Sequence, residues 1–144
     1  MTTYTDTNAL APRFSDGKGN AYCDDGSAAT PSTFTTTDKA RLVRIPAGTR
    51  VTEIAIRNTD LDTATTITAN FGYEAATSGS SLTASTTYFG SALTILQSAG
   101  RSVLAFDPIT FDEDVWLTCI PQAGPATTAG TIKAIVLGKV VGVK

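Results

Sequence analysis

Residues 41–58 read RLVRIPAGTRVTEIAIRN, and this stretch decides the fold. Two runs rich in β-branched residues flank Ile45-Pro46-Ala47-Gly48. Proline fixes φ and offers no backbone donor, and glycine tolerates positive φ, so the chain is expected to turn there. In the second run Thr52, Ile54 and Ile56 share one face, with Glu53 and Arg57 on the other. A period of two marks a half-buried strand. The expectation is two strands joined at residues 46–48, in an all-β chain.

The same punctuation recurs downstream. Residues 58–63 (NTDLDT) form a polar turn, because Asn and Asp side chains bond their own backbone. Thr65, Ile67, Ala69, Phe71 and Tyr73 then alternate on one strand face, and residues 74–87 read as a long Ser/Gly/Thr loop. Residues 88–98 (YFGSALTILQS) pull two ways. Phe89, Ala92, Leu93 and Leu96 sit at helical spacing, while Gly90 and the Thr94-Ile95 pair oppose a helix, so a short helical turn or an irregular segment is expected. Short strands follow over residues 103–106 and 109–111, then a core strand over 115–120 closed by Pro121. A long strand over 130–143 ends the chain, with Gly138 and Gly142 as sites of a bulge or close backbone approach. Seven or eight strands with turns between them give an antiparallel β-sandwich. A jelly-roll-like version is preferred, since loop lengths vary widely and a long strand comes last. An immunoglobulin-like sandwich is the alternative, but Trp116 lies beside Cys119 rather than between two strand cysteines.

Residues 1–38 have a different texture. They are rich in Thr, Asp, Ser, Gly and Ala, with two cations against five carboxylates and isolated Tyr4, Phe14, Tyr22 and Phe34. The expected organisation is an extended N-terminal arm over 1–38 and a sandwich domain over 39–144. Short strands are expected around residues 21–23 and 33–36; a disordered tail is the alternative. Because the arm lacks a strand-length apolar period, its removal is expected to cost the core little. Tyr4, Arg13, Phe14 and Tyr22 are the candidate residues for contact with a neighbouring chain, since aromatic and Arg side chains often anchor interfaces.

Composition excludes more than it selects. A chain of 144 residues fits one domain. A net charge of −2 suits neither a basic nucleic-acid binder nor an acidic tail. There is no His, which removes the commonest general base and metal ligand together. Cys119 continues the alternation of Val115 and Leu117 and reads as a small buried hydrophobe, whereas Cys23 reads as a free thiol; a disulfide between them is the alternative. The N-terminus has no basic start or apolar run, so no signal peptide is expected, and no stretch is long and apolar enough to span a bilayer.

Asp60, Asp62, Asp112, Glu113 and Asp114 are the densest carboxylates. They lack the calcium-loop pattern with its central Gly, so solvated loop charges are the better reading. Ser78-Gly79-Ser80-Ser81 is not a nucleophile elbow, and no His is present to activate it. Residues 70–74 (NFGYE) suit buried strand aromatics better than a stacking surface. Arg41 and Arg44 have opposite strand parity, so Arg41, Arg44, Arg50 and Arg57 are expected in interface salt bridges rather than on nucleic acid. No catalytic, metal or cofactor site is expected.

Several stretches carry a resemblance: TDKARLVRIPAGTRVTEIAIRNTDLD, TITANFGYE, YFGSALTILQSAG and the ending GTIKAIVLGKVVGVK. Across most of residues 38–144 the chain resembles the capsid decoration (cement) proteins of tailed bacteriophages. The resemblance is one of Thr-rich strand texture, not of a catalytic motif. It implies a small β-sandwich or jelly roll that binds the major capsid protein on the outside of the virion and staples capsomers together. It implies a homo-oligomer, a trimer before a dimer, assembled in the host cytoplasm, with no cofactor, nucleic acid or membrane partner. Tyr4, Arg13, Phe14 and Tyr22 then become candidate capsid or subunit contacts. A carbohydrate-binding sandwich of a phage fibre or tail is the alternative, and it would need Tyr73, Tyr88 and Trp116 at the surface.

Overall fold

Residues 46–48 do turn the chain, with Gly48 at φ +77°, but the two strands they join lie in different sheets. The computed structural model describes residues 1–5 and 20–142. Its strands are β1 (Thr2–Thr5), β2 (Ala21–Thr30), β3 (Asp38–Ile45), β4 (Thr49–Asn58), β5 (Thr68–Ala75), β6 (Ser85–Leu93), β7 (Gly100–Val103), β8 (Ile109–Thr110), β9 (Val115–Ala123) and β10 (Gly130–Val140). One sheet runs β1-β3-β9-β5-β6 and the other β2-β10-β4-β7, with β8 also on β4.

The pairings are nested. β2 pairs β10, β3 pairs β9, β4 pairs β7 and β8, and β5 pairs β6, all antiparallel. An eight-stranded hairpin folded over itself gives this order, which is the jelly roll. The remaining strand, β1, joins β3 in parallel at one edge. Between the sheets sits one apolar core, with Leu42, Ile45, Ile54, Phe71, Leu117 and Val136 all closed to solvent.

Two bulges reset the parity of the deciding stretch. Opposite β9 the register jumps between Arg41 and Val43, so Leu42 is the extra residue. Opposite β10 it jumps between Glu53 and Val51, so Thr52 is the extra residue. Strict alternation puts Thr52 with Ile54 and Ile56, but the structure buries Val51, Ile54 and Ile56 and exposes Thr52. The Thr52 hydroxyl donates to the Leu137 carbonyl at 3.2 Å and holds the bulge.

The expected arm over 1–38 needs correcting. Residues 21–30 are the first strand of the jelly roll, paired with β10 along its length, and Tyr22, Ala28 and Phe34 belong to the core. The apolar period was hidden because Asp24, Gly26 and Thr30 occupy inward positions alternating with Tyr22 and Ala28. Residues 33–36 form no strand; Phe34 and Asp38 instead close turns onto Pro31 and Thr35. Residues 88–98 divide between β6 and a 3₁₀ turn over Ile95–Gln97. The core strand β9 continues through Pro121, which lies beyond Cys119, the last residue paired with β3, so its missing N–H breaks no ladder on that side.

Candidate functional site

Of the four candidate contact residues, Tyr4 and Tyr22 are described, and both pack on the chain's own core. Tyr4 is half-buried and packs edge-on against Phe34 at 5.8 Å, so it docks on its own core. Tyr22 is 1 % exposed, with its hydroxyl 3.5 Å from the Asp24 carboxylate. Burial, and then the Asp24 charge, push its phenol pKa up. A ring held inside the sandwich does not anchor in a neighbour, which corrects the expectation for Tyr22. Arg13 and Phe14 lie outside the described residues.

The outer face of the β3-β9-β5 sheet is an intrachain ion-pair network. The bulge at Leu42 brings Arg41 and Arg44 to the same side, against their sequence parity. Glu74 accepts from Lys39 at 2.5 Å and from Arg41 at 2.6 Å, and Arg44 donates to Asp114 at 2.7 Å. Burial pushes the Glu74 carboxyl up, but the bonds from Lys39 and Arg41 outweigh it and hold its pKa below the usual value. Trp116 lies beneath Arg41, whose guanidinium is 5.8 Å from the ring, and is only 6 % exposed. These arginines therefore clamp their own sheet. Nor do the aromatics form a sugar platform, since Tyr73 and Tyr88 meet edge-on at 65° and Trp116 is covered.

Asp62, Glu113 and Asp114 are not the solvated loop charges expected, whereas Asp112 is exposed as expected. Asp114 also accepts from the Ala47 N–H at 2.8 Å, pinning the turn after Pro46. Glu113 binds the Ser80 and Ser81 hydroxyls, tying down the long loop before β6. Asp62 is closed to solvent. It accepts from the backbone N–H groups of Ala64, Thr66 and Ile67 and from the hydroxyls of Thr66 and Thr127. Burial pushes its carboxyl up, but those donors pull harder and bring its pKa from 3.8 to about 2. Sign follows from linkage: a depressed folded pKa stabilises the fold fully above the unfolded value and is lost as pH falls through the folded one. Melting temperature should therefore fall as pH drops from 3.8 to about 2, and Asp62→Asn should flatten that limb while melting lower at neutral pH. An unchanged acid limb in the variant, followed by circular dichroism, would show that another group controls it.

The outer face of the β2-β10-β4-β7 sheet is built differently. Across its middle run Ile135, Ala55 and Val103 in register, with Leu137 one row on. Val103 is 52 % exposed and Leu137 37 %. One end of this strip carries the register row Lys133–Arg57–Arg101, and the other carries Lys139 beside Arg50. Two carboxylates share the face: Asp25 bonds Lys133 at 2.7 Å and Glu53 lies 3.9 Å from Arg101. Beside Arg57 and Lys133 is a groove of about 520 Å³, walled by Asn58, Thr59 and Gly100. Asn58 shapes this end, donating through its amide nitrogen to the carbonyls of Thr59, Ile95 and Ser98.

Comparison with known structures brings the fold into context. A chain of the capsid asymmetric unit of cyanophage Pam1 is 26 % identical, covers 93 % of this chain and 96 % of its own, and superposes with a TM-score of 0.68. The chain is similar to a phage capsid component. A chain of the capsid of Ralstonia phage GP4 shares the fold at a TM-score of 0.77 and 20 % identity, over 99 % of this chain and 100 % of its own. A chain of the acid-stable capsid of Helicobacter pylori bacteriophage KHP30 shares it at 0.58 and 13 % identity, over 83 % and 89 %. No protein-family model and no curated protein matches.

The GP4 chain shares the fold over 99 % of this chain, so residues 21–30 belong to the shared fold. The clustered charges at Glu74, Asp114 and Asp62 bind protein donors, and among the described residues no three His, Cys, Asp or Glu side chains could hold a metal ion.

Proposed function

We propose that this chain is a structural protein of the phage virion that decorates the outside of the capsid and cements it by binding the major capsid protein. The observation that carries this reading is the likeness to the Pam1 capsid chain across 93 % of this chain and 96 % of that one, at 26 % identity. The physics agrees. A jelly roll closed by nested antiparallel pairs offers a preformed surface, so little ordering entropy is lost on docking. A modest contact repeated over a lattice stabilises the whole shell through avidity, above all if the chain is a trimer or dimer. No reaction is required of such a protein.

The test is co-sedimentation of the purified full chain with capsids that lack it, followed by heating the decorated and bare shells. Decoration should saturate at a fixed ratio to the major capsid protein, and decorated shells should rupture at higher temperature. A chain that stays in the supernatant, or that binds without changing the rupture temperature, refutes cementing. Light scattering on the free chain reads the oligomer.

A further inference from the structure

We infer that the outer face of the β2-β10-β4-β7 sheet is the surface by which this chain seats on its partner, an acidic protein surface with an apolar centre. The inference rests on the capsid reading above.

The argument is one of charge placement. The chain is net negative, at −2. Yet among the described residues this face carries five cations against two carboxylates, and both carboxylates already have partners in Lys133 and Arg101. Arg50, Arg57 and Lys139 form no ion pair among the described residues. The contrast with the opposite sheet is direct: there Lys39, Arg41 and Arg44 are all paired within the chain, the first two with Glu74 and the third with Asp114. Cations left unpaired on one face, while others in the same molecule are carefully paired, mark the side that meets negative charge elsewhere.

The apolar strip fixes the kind of partner. Arg57 and Arg50 stand at opposite ends of β4, facing Lys133 and Lys139 six residues apart on β10, so roughly 20 Å separates them. Between them lie exposed Val103 and Leu137 and half-buried Ile135, which offer nothing to a phosphate backbone but suit a protein surface with an apolar centre and a charged rim. A second copy of this chain is a poor match, because it would oppose excess cations with excess cations. Four strands at their usual spacing and eight residues of length give roughly 500 Å². That is below the ~800 Å² per partner of a stable one-to-one interface. Such a contact is weak singly and effective when repeated, which is what a lattice supplies.

The experiment uses the full chain and capsids lacking it, with binding measured by co-sedimentation across ionic strength. Arg57→Glu and Val103→Asp are each expected to weaken binding about tenfold or more. Wild-type binding should weaken as salt shortens the Debye length. Both side chains are exposed, and unchanged melting temperatures confirm that each variant folds. Thr86→Glu with Thr87→Glu on β6 makes the same charge change as Arg57→Glu and should bind as wild type. If wild type decorates capsids and both face variants match it, this inference is overturned and the capsid reading stands. If wild type does not bind, the capsid reading falls first. Hydroxyl-radical footprinting should show Val103 and Leu137 open in the free chain and protected on the particle. Protection already present in the free chain overturns the proposal, assigning the face to the chain's own residues, or to a second copy if Val103→Asp lowers the mass by light scattering. Retention on duplex DNA that Arg57→Glu abolishes, with capsid binding intact, overturns it in favour of nucleic acid.

Discussion

A chain that starts at Lys39 should not fold. The truncation removes β2, which pairs with β10 from Thr30 to Ala21, and leaves β10 as a bare edge. It also removes Tyr22 and Phe34, both among the fully buried aromatic side chains. Losing a buried large aromatic costs roughly 3–5 kcal/mol. Two of them, with a whole strand ladder, consume most or all of the ~5–15 kcal/mol by which a domain is stable. Thermal melting followed by circular dichroism should show no cooperative transition, and the amide NMR spectrum should collapse. A cooperative melt within a few degrees of the full chain would return residues 1–38 to the status of a separable arm. Tyr22→Ala in the full chain gives a graded version. It should lower the melting temperature by about 10 °C, at ~3 °C per kcal/mol for this size.

The jelly roll was legible because its punctuation is local. Pro46 and Gly48, the Asn58 turn and the final long strand all act within a few residues; the seven or eight strands expected from such signals fall short of the ten observed, since β1 and β6 carry none of them. What did not show was anything set by pairing across the sequence. The bulges at Leu42 and Thr52 arise where β3 meets β9 and β4 meets β10, strands some 75–85 residues away along the chain. Nothing near Arg41 announces that Arg44 will share its side. For the same reason Asp62 read as a solvated loop charge: its neighbours Asp60 and Thr63 are polar, and only the backbone of residues 64–67 curling around it turns it into an acceptor for the fold.

The candidate site follows the same division. Individual cations were visible, but the row Lys133–Arg57–Arg101 draws on β10, β4 and β7 and exists only once those strands lie side by side. Tyr22 misled because the strand around it alternates an aromatic and an Ala with inward Asp24, Gly26 and Thr30, so its apolar period is diluted below recognition. Its hydroxyl finds Asp24 inside the sandwich, a pairing that makes two polar groups tolerable next to the core.

Gly138→Ala should melt about 10 °C below the wild-type chain. Gly138 lies opposite the bulge at Thr52, in the middle of the sheet formed by β2, β10, β4 and β7. A Cβ there would stand 2.2 Å from the Arg50 carbonyl oxygen and 3.2 Å from the Val51 Cα. Both are backbone atoms, so no side chain can swing aside. The strand cannot retreat easily either. Val51 is closed to solvent, Thr52 is tied to the Leu137 carbonyl, and the Val141 N–H donates to the Gly48 carbonyl at 2.7 Å. Relief would mean spreading β4 from β10 or dissolving the bulge, and the second choice would turn Val51 outward and Arg50 inward. Overpacking of this kind costs typically 1–3 kcal/mol, and a backbone clash in a central ladder belongs at about 3, which is ~10 °C at this chain length. Gly100→Ala is the control, since it is also a strand glycine but has nothing within 4 Å of the added carbon. It should leave the melting temperature within about 2 °C of wild type. Hydrogen exchange adds the location: amides of residues 49–53 should exchange faster in Gly138→Ala and not in Gly100→Ala. Equal melting of the two variants would mean that the bulge yields freely, and that the placement of Arg50 on the outer face is not fixed by it.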